Sequence, residues 1–178
     1  MRRVSLLLVL TLLLGLLAAP AFAADGPQIG QSAPAFHLQD QNGHWHTPSD
    51  FQGHWLVLYF YPKDFTPGCT TEVCTFRDDI AKLRKAGAEV AGISLDDVKS
   101  HAEFAAKYHV PFPLLSDADQ KTATDYGVLT SMAGMHYAKR TTFLIDPQGK
   151  IAKIYRDVDP EKNSAQVMSD LTTLKAGS

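Results

Sequence analysis

Apolar residues along the chain recur with two periods, one typical of strands and one typical of helices. Residues 55–61 form a continuous apolar and aromatic run between Gly53 and Pro62, which is the pattern of a strand buried on both faces. From residue 67 to residue 86 the apolar positions recur at spacings of three and four, and Gly87 follows as a helix stop. The pattern therefore predicts a central strand followed by an amphipathic helix.

The rest of the chain continues this alternation of strands and helices. The further predicted elements are a strand over 89–94, helices over 100–109, 120–126 and 161–174, and a hairpin of strands 141–145 and 151–155. An added N-terminal hairpin is indicated by residues 35–38 and 44–47, because they flank the turn dipeptide Asn42-Gly43. This order predicts an α/β protein with a thioredoxin-like fold, a mixed central sheet and helices on both faces.

The first 23 residues have the layout of a secretory signal peptide. Two arginines precede an apolar run over residues 4–19, and a small-x-small triplet ends at Ala23. The run is shorter than the roughly 20 residues that a transmembrane helix needs, although an uncleaved N-terminal anchor remains the alternative. We therefore expect residues 1–23 to be removed, and residues 24–178 to form one soluble domain exported to the periplasm.

The composition of the predicted mature chain favours small-molecule chemistry. Cleavage after Ala23 leaves 15 basic against 19 acidic residues, and no cluster of Lys and Arg is present. Binding to nucleic acid or to an anionic membrane surface would require such a cluster, so neither partner is expected. We interpret His44, His46 and His54, scattered near the N-terminal hairpin, as solvated surface and not as a metal site.

The two cysteines of the chain follow the predicted central strand, where open α/β sheets bind ligands. Thr66 is a good N-cap residue and proline follows it at the first helical position, so Cys69 falls in the first helical turn. Free N–H groups and the positive end of the helix dipole favour a thiolate there. Cys69 is therefore a candidate activated nucleophile. Glu72 is favourable to the same dipole whatever else it does, and we do not include it among the candidate site residues.

The second cysteine, Cys74, lies too far from Cys69 for a disulfide in an intact helix. The two Cα atoms would be roughly 8 to 9 Å apart, whereas disulfides tolerate about 4.4 to 6.8 Å. A bond therefore requires the first helical turns to unwind. A static disulfide in a non-enzymatic exported domain remains the alternative, although such a short loop stabilises little. Neither a structural zinc site nor a Cys-x-x-Cys exchange motif fits these cysteines.

Residues 62–78, PKDFTPGCTTEVCTFRD, closely resemble the peroxidatic segment of peroxiredoxins of the bacterioferritin comigratory protein or Prx Q group. The pattern Pro-x-x-x-Thr-x-x-Cys of that family is met by Pro62, Thr66 and Cys69. A second cysteine five residues later is particular to this atypical two-cysteine group. Residues 140–146 match the segment in which the family keeps an active-site arginine, and the resemblance extends from about residue 28 to the end of the chain.

This resemblance implies an antioxidant thiol peroxidase that reduces hydrogen peroxide and organic hydroperoxides without metal, haem or flavin. Cys69 would attack the peroxide and become a sulfenic acid, and Cys74 would condense with it to a disulfide. Thr66 would hydrogen-bond thiolate and peroxide, Pro62 would shield the pocket from water, and Arg140 would stabilise the thiolate and the leaving oxygen. A thioredoxin-like or other dithiol would reduce the bridge. We expect a monomer or weak dimer.

Overall fold

The computed structural model describes residues 26–176, so the predicted signal peptide lies outside the described residues. The strands are β1 Leu38–Gln39, β2 Trp45–His46, β3 Trp55–Phe60, β4 Ala88–Ser94, β5 Leu114–Ser116, β6 Leu129–Met132, β7 Met135–Ala138, β8 Thr141–Ile145 and β9 Ile151–Arg156. The helices are a 3-10 helix Pro48–Phe51, α1 Pro67–Lys85, α2 Val98–Tyr108, α3 Lys121–Asp125 and α4 Asn163–Ala176. Within residues 26–176, none of these helices is both long and apolar enough to cross a membrane.

Seven of the strands form one sheet in the order β2-β1-β5-β4-β3-β8-β9. The pairs β3–β4 and β4–β5 are parallel, whereas β3–β8 and β8–β9 are antiparallel. This confirms the predicted mixed sheet. It also places β8, and the loop before it, directly beside β3 and the segment that follows β3.

Alternate residues of β3 face two separate cores, one on each side of the sheet. Val57 and Tyr59 pack in the core formed with α1, α2 and α4. Leu56, Leu58 and Phe60 pack in the other core, which includes residues of α3 and of the 3-10 helix. Each fully buried side chain of this size stabilises the fold by about 1.5 to 3 kcal/mol. The alternation explains why the run reads as continuously apolar, and it confirms helices on both faces.

The helix α1 begins seven residues after β3 ends, and its apolar stripe directs its first turn inward. Thr66 is the N-cap residue and Pro67 occupies the first helical position, as the sequence predicts. Cys69, Val73 and Phe76 are buried along the inner face. These apolar side chains of α1 pack on the sheet. The first turn of α1, with Cys69, therefore lies against the carboxyl end of β3.

Two features of the sheet region differ from the sequence-based prediction. The N-terminal hairpin pairs only Leu38 with His46 and Gln39 with Trp45, so it is shorter than predicted. The strands β5, β6 and β7 were not predicted. The β6–β7 hairpin turns through Ala133 (φ 51°) and Gly134 (φ 79°), and an alanine with positive φ gives no turn signal in a sequence.

Candidate active site

Cys69 and Arg140 meet at the first turn of α1. The side chain of Cys69 is buried, with 1% of its residue surface exposed, and Arg140 Nη2 donates a hydrogen bond to its Sγ at 3.3 Å. Arg140 directly precedes β8, so the antiparallel pairing of β8 with β3 delivers it to α1. The guanidinium and the positive helix end both favour a negative sulfur. The arrangement therefore places a charged donor and the positive end of a helix beside the candidate nucleophile.

A glycine beside the cysteine allows the arginine to approach. A Cβ atom at Gly68 would lie 3.1 Å from Arg140 Nη2 and 3.7 Å from Pro160 Cγ. The first of these distances is shorter than ordinary van der Waals contact, so a larger residue would displace the guanidinium. Gly68 thus keeps the space through which Arg140 reaches the sulfur.

Glu72 is the acidic partner of Arg140, and the sequence-based interpretation missed this role. Its side chain is fully buried and its Oε2 accepts a hydrogen bond from Arg140 Nη1. Burial raises the pKa of Glu72 to about 7, although the charge and hydrogen bond of Arg140 lower it. One signal was available: Glu72 lies three residues after Cys69, on the core-facing side of the helix, where an acid is rare unless it is paired.

The charges of this cluster are coupled through the arginine. Burial lowers the pKa of Arg140, but the charges of Glu72 and Cys69 outweigh that effect and raise it. Arg140 therefore stays charged and donates hydrogen bonds to both Glu72 and Cys69. Because Glu72 holds one end of the guanidinium, the other end stays directed at Cys69 Sγ.

Tyr59 of β3 lies beneath this cluster. Its ring stacks on Phe76 of α1 with centroids 4.9 Å apart, and its hydroxyl is buried without a hydrogen-bond partner within residues 26–176. Burial raises the pKa of Tyr59 well above its usual value, and the charges of Glu72 and Cys69 raise it further. The phenol therefore stays neutral, and it adds no charge to the site.

The two other residues of the predicted motif lie in the segment between β3 and α1. Pro62 is half-buried in the bend after β3. Thr66 makes no side-chain capping bond to the helix, and its Oγ1 instead donates to the carbonyl oxygen of Lys63 at 2.9 Å. The hydroxyl hydrogen is therefore taken up by the bond to Lys63, and what Thr66 can offer a ligand is an acceptor lone pair.

Cys74 lies in the second turn of α1, partly buried against the core. Both cysteines are free thiols, and the helix runs without a break through both positions. Beyond Cys74 the helix is tied to its neighbours, because Thr75 Oγ1 lies 3.2 Å from the carbonyl oxygen of Pro160 and Arg77 Nη1 donates to that of Tyr108 at 2.8 Å. The static disulfide considered as the alternative is not the arrangement of this structure.

The histidines near the N-terminal hairpin pair with carboxylates. His46 Nε2 lies 3.2 Å from Asp40 Oδ2, and His44 Nδ1 lies 3.7 Å from the same oxygen. Over the described residues, no three His, Cys, Asp and Glu side chains are placed to hold a metal ion. Burial raises the pKa of Asp40, but hydrogen bonds from the backbone N–H groups of His44 and Asn42 and from the side chain of His46 outweigh it, so the pKa is lowered.

Comparison with known proteins places the chain beside peroxiredoxins. Residues 29–154 match the model of the AhpC/TSA family. The chain is 45% identical over 148 residues to the bcp peroxiredoxin of Coxiella burnetii, a match that covers 81% of this chain and 98% of that protein. It is 44% identical over 146 residues to the chloroplastic peroxiredoxin Q of Oryza sativa subsp. japonica, covering 82% and 67%.

A solved structure supports the same relationship. The fold superposes on the bacterioferritin comigratory protein of Xanthomonas campestris with a TM-score of 0.72 and 38% sequence identity. The match covers 78% of this chain and 90% of that protein, whose structures address its alkyl peroxide reduction activity. The likeness thus extends over most of the length of both chains.

Proposed function

We propose a two-cysteine reaction path for this chain, which belongs to the AhpC/TSA family and, within it, to the peroxiredoxin Q or bacterioferritin comigratory protein group. The chain is a thiol peroxidase, as its relatives indicate. The observation that carries the proposed path is the hydrogen bond of 3.3 Å from Arg140 to the buried sulfur of Cys69 at the start of α1. It supports Cys69 as the nucleophile and Arg140 as the group that stabilises it.

In the first step, the Cys69 thiolate attacks one oxygen of the peroxide bond. The S–O bond forms as the O–O bond breaks, and the leaving oxygen takes a proton and departs as water or an alcohol. Negative charge moves from sulfur to this oxygen, and Arg140 is positioned to follow it, because a fixed donor in a buried site stabilises developing charge most effectively. Glu72 keeps the guanidinium in place through its own hydrogen bond.

Thr66 and Pro62 are assigned supporting roles. Because the Thr66 hydroxyl donates to Lys63, its oxygen is free to accept the hydrogen of a hydroperoxide O–H group. This would orient the peroxide for attack along its O–O bond. Pro62, half-buried at the bend after β3, would limit the access of water to the same space.

In the second step, the thiolate of Cys74 attacks the Cys69 sulfur. The S–O bond of the sulfenic acid breaks, and its oxygen leaves with a proton as water while the disulfide forms. The continuous helix through both residues keeps them too far apart, since an intact helix separates positions five apart by roughly 8 to 9 Å. The start of α1 must therefore unwind, and the contact between Thr75 and Pro160 lies at the edge of that segment.

An external dithiol then returns both cysteines to the thiol state by disulfide exchange. We propose a thioredoxin-like protein or another dithiol as this reductant, and hydrogen peroxide or a small organic hydroperoxide as the substrate. The Xanthomonas protein, studied for alkyl peroxide reduction, supports the second substrate class. We further propose that the mature chain works in the periplasm after loss of residues 1–23, as a monomer or weak dimer.

Single-cysteine variants test this path. The chain contains two cysteines, so Cys69→Ser and Cys74→Ser each leave one thiol. We expect C69S to lose peroxide consumption, whereas C74S should consume about one equivalent per chain without added dithiol and accumulate a sulfenic acid detectable by intact mass. Full turnover in C69S would refute the assignment of the nucleophile. Full dithiol-dependent turnover in C74S would refute the resolving role of Cys74.

A further inference from the structure

A buried carboxylate lies two residues before Thr66. Asp64 has 4% of its surface exposed. Its oxygens accept a hydrogen bond from the Tyr61 hydroxyl at 2.8 Å and another from the Ser100 hydroxyl at 2.7 Å, and His101 Nδ1 lies 2.9 Å away. Since the carboxylate can only accept, Nδ1 of His101 carries the hydrogen. Three side chains from β3's end and from α2 thus converge on Asp64, although it does not contact Cys69.

The main chain at the same position is held from both sides. The N–H of Asp64 donates to Asp96 Oδ2 at 2.9 Å, and the same oxygen accepts the Ser94 hydroxyl at 2.7 Å. At the other end of this peptide unit, the carbonyl oxygen of Lys63 accepts the hydroxyl of Thr66. The orientation of one peptide group therefore decides where the hydroxyl hydrogen of Thr66 points, and so where its acceptor lone pairs point.

The residue between Asp64 and Thr66 has an unfavourable backbone conformation. Phe65 has a φ of 62°, in the left-handed region that bulky residues rarely adopt. The residue is 42% exposed, and its ring contacts Phe104 edge-on with centroids 5.0 Å apart. Such a conformation persists only where the surroundings hold it, and it is concentrated at functional sites. Here the bonds of Asp64 and Asp96 fix the preceding residue, and the contact with Phe104 holds the ring.

We propose that Asp64 and Asp96 are positioning residues for the peroxide step, which fix the Lys63–Asp64 peptide so that Thr66 presents an acceptor lone pair to the peroxide. The inference rests on the function proposed above, in which Thr66 orients the peroxide. Neither carboxylate touches the reacting atoms, so bond making and breaking stay with Cys69 and the peroxide. The hydrogen bonds of Asp64 and Asp96 act on the peroxide through Thr66 and leave the contact between Arg140 and the sulfur unchanged.

The test compares two reagents at the same sulfur. In the C74S background Cys69 is the sole thiol, and its loss is followed by quenched-flow sampling and intact mass, with hydrogen peroxide in one series and iodoacetamide in the other. Iodoacetamide needs the thiolate but not an acceptor at Thr66. We expect Asp64→Asn to slow the peroxide reaction about tenfold, because small displacements in a preorganised site are costly, and to change alkylation less than about twofold. Ser100→Ala, which removes one of the three side-chain bonds to Asp64, should slow the peroxide reaction about threefold.

The matched control is Asp117→Asn. Asp117 is also a fully buried carboxylate, and it accepts the N–H groups of Thr122 and Ala123 at 2.9 and 2.7 Å, in the core on the opposite face of the sheet. This variant should lose stability but keep both rates. The proposal would be overturned in favour of a purely structural role by either of two results. One is that D64N slows the reactions with both reagents equally, and the other is that D117N slows the peroxide reaction as much as D64N does.

A double variant tests the part played by backbone strain. Glycine adopts positive φ without steric cost, so Phe65→Gly should make the rate of the peroxide reaction less dependent on the bonds of Asp64. We expect D64N to slow the peroxide reaction about threefold in the F65G background instead of tenfold. An equal effect in both backgrounds would overturn the strain argument. Failure of the proposed function is distinguishable, because then C69S itself would retain peroxidase activity.

Discussion

Replacing Glu72 with glutamine should stabilise the fold and slow the enzyme at the same time. Glutamine has nearly the shape of a protonated glutamate but cannot ionise. The pKa of Glu72 is raised from 4.5 to about 7, chiefly because the side chain is buried. Since one pKa unit corresponds to about 1.4 kcal/mol, ionising this carboxyl costs the folded state roughly 3 kcal/mol relative to the unfolded chain.

Between pH 4.5 and about 7 the folded protein keeps a proton on Glu72 that the unfolded chain has lost, so stability falls as the pH rises through this window. The glutamine variant lacks this loss. We therefore expect Glu72→Gln and the parent to be equally stable at pH 5, and the variant to be more stable at pH 8 by up to about 3 kcal/mol.

Urea unfolding of the reduced protein at the two pH values measures this difference in stability. The rate of Cys69 oxidation by peroxide measures how much activity the Glu72→Gln variant loses. The rate should fall about tenfold, because Arg140 loses the carboxylate that fixes it. The matched control is Glu89→Gln, which removes a partly exposed acid paired with Arg84 and should change stability by less than about 1 kcal/mol at either pH. A variant of Glu72 that is less stable at both pH values would refute the reasoning, because the buried pair would then be a net source of stability.

Three further predictions concern the same site and the predicted export. Gly68→Ala should slow Cys69 oxidation about tenfold with little change in melting temperature, because its methyl group would displace Arg140; single-turnover peroxide kinetics measure this, and an unchanged rate would contradict it. Arg140→Lys should slow the same step at least as much, since a single ammonium group cannot bridge Glu72 and Cys69 as a guanidinium does; equal rates would count against the bridge. Intact mass of protein recovered from the exported fraction should show a chain that begins at Ala24 or within two residues of it, and a retained N-terminal segment would refute the signal-peptide prediction.

The elements that position the site were predictable because their signals are local. The continuous apolar run of β3 and the periodic stripe of α1 each lie within one short stretch of sequence. The same holds for the N-cap position of Thr66 and for the placement of Cys69 in the first turn. The segment from residue 55 to residue 86 contains all of this information, and the structure agrees with it to within one residue at most boundaries.

The electrostatic centre of the site was only partly predictable, because it depends on strand order. Glu72 and Arg140 are 68 residues apart, and they meet because β8 pairs with β3. The sequence indicated an arginine by family resemblance, but it did not indicate which acid would hold it. The donor bond from Thr66 to Lys63 was equally hidden, since it follows from the left-handed backbone of Phe65, a conformation that no residue preference predicts for phenylalanine.

The most direct test of the proposed path is hydrogen exchange along α1 in the two redox states. If Cys69 and Cys74 form the disulfide, the amides of residues 70–77 should be protected in the reduced protein and exchange much faster after one equivalent of peroxide. The later turns of α1, up to Lys85, should stay protected in both states and serve as the internal control. Equal protection of residues 70–77 before and after oxidation would contradict the account, because the intact helix cannot bring the two sulfur atoms together.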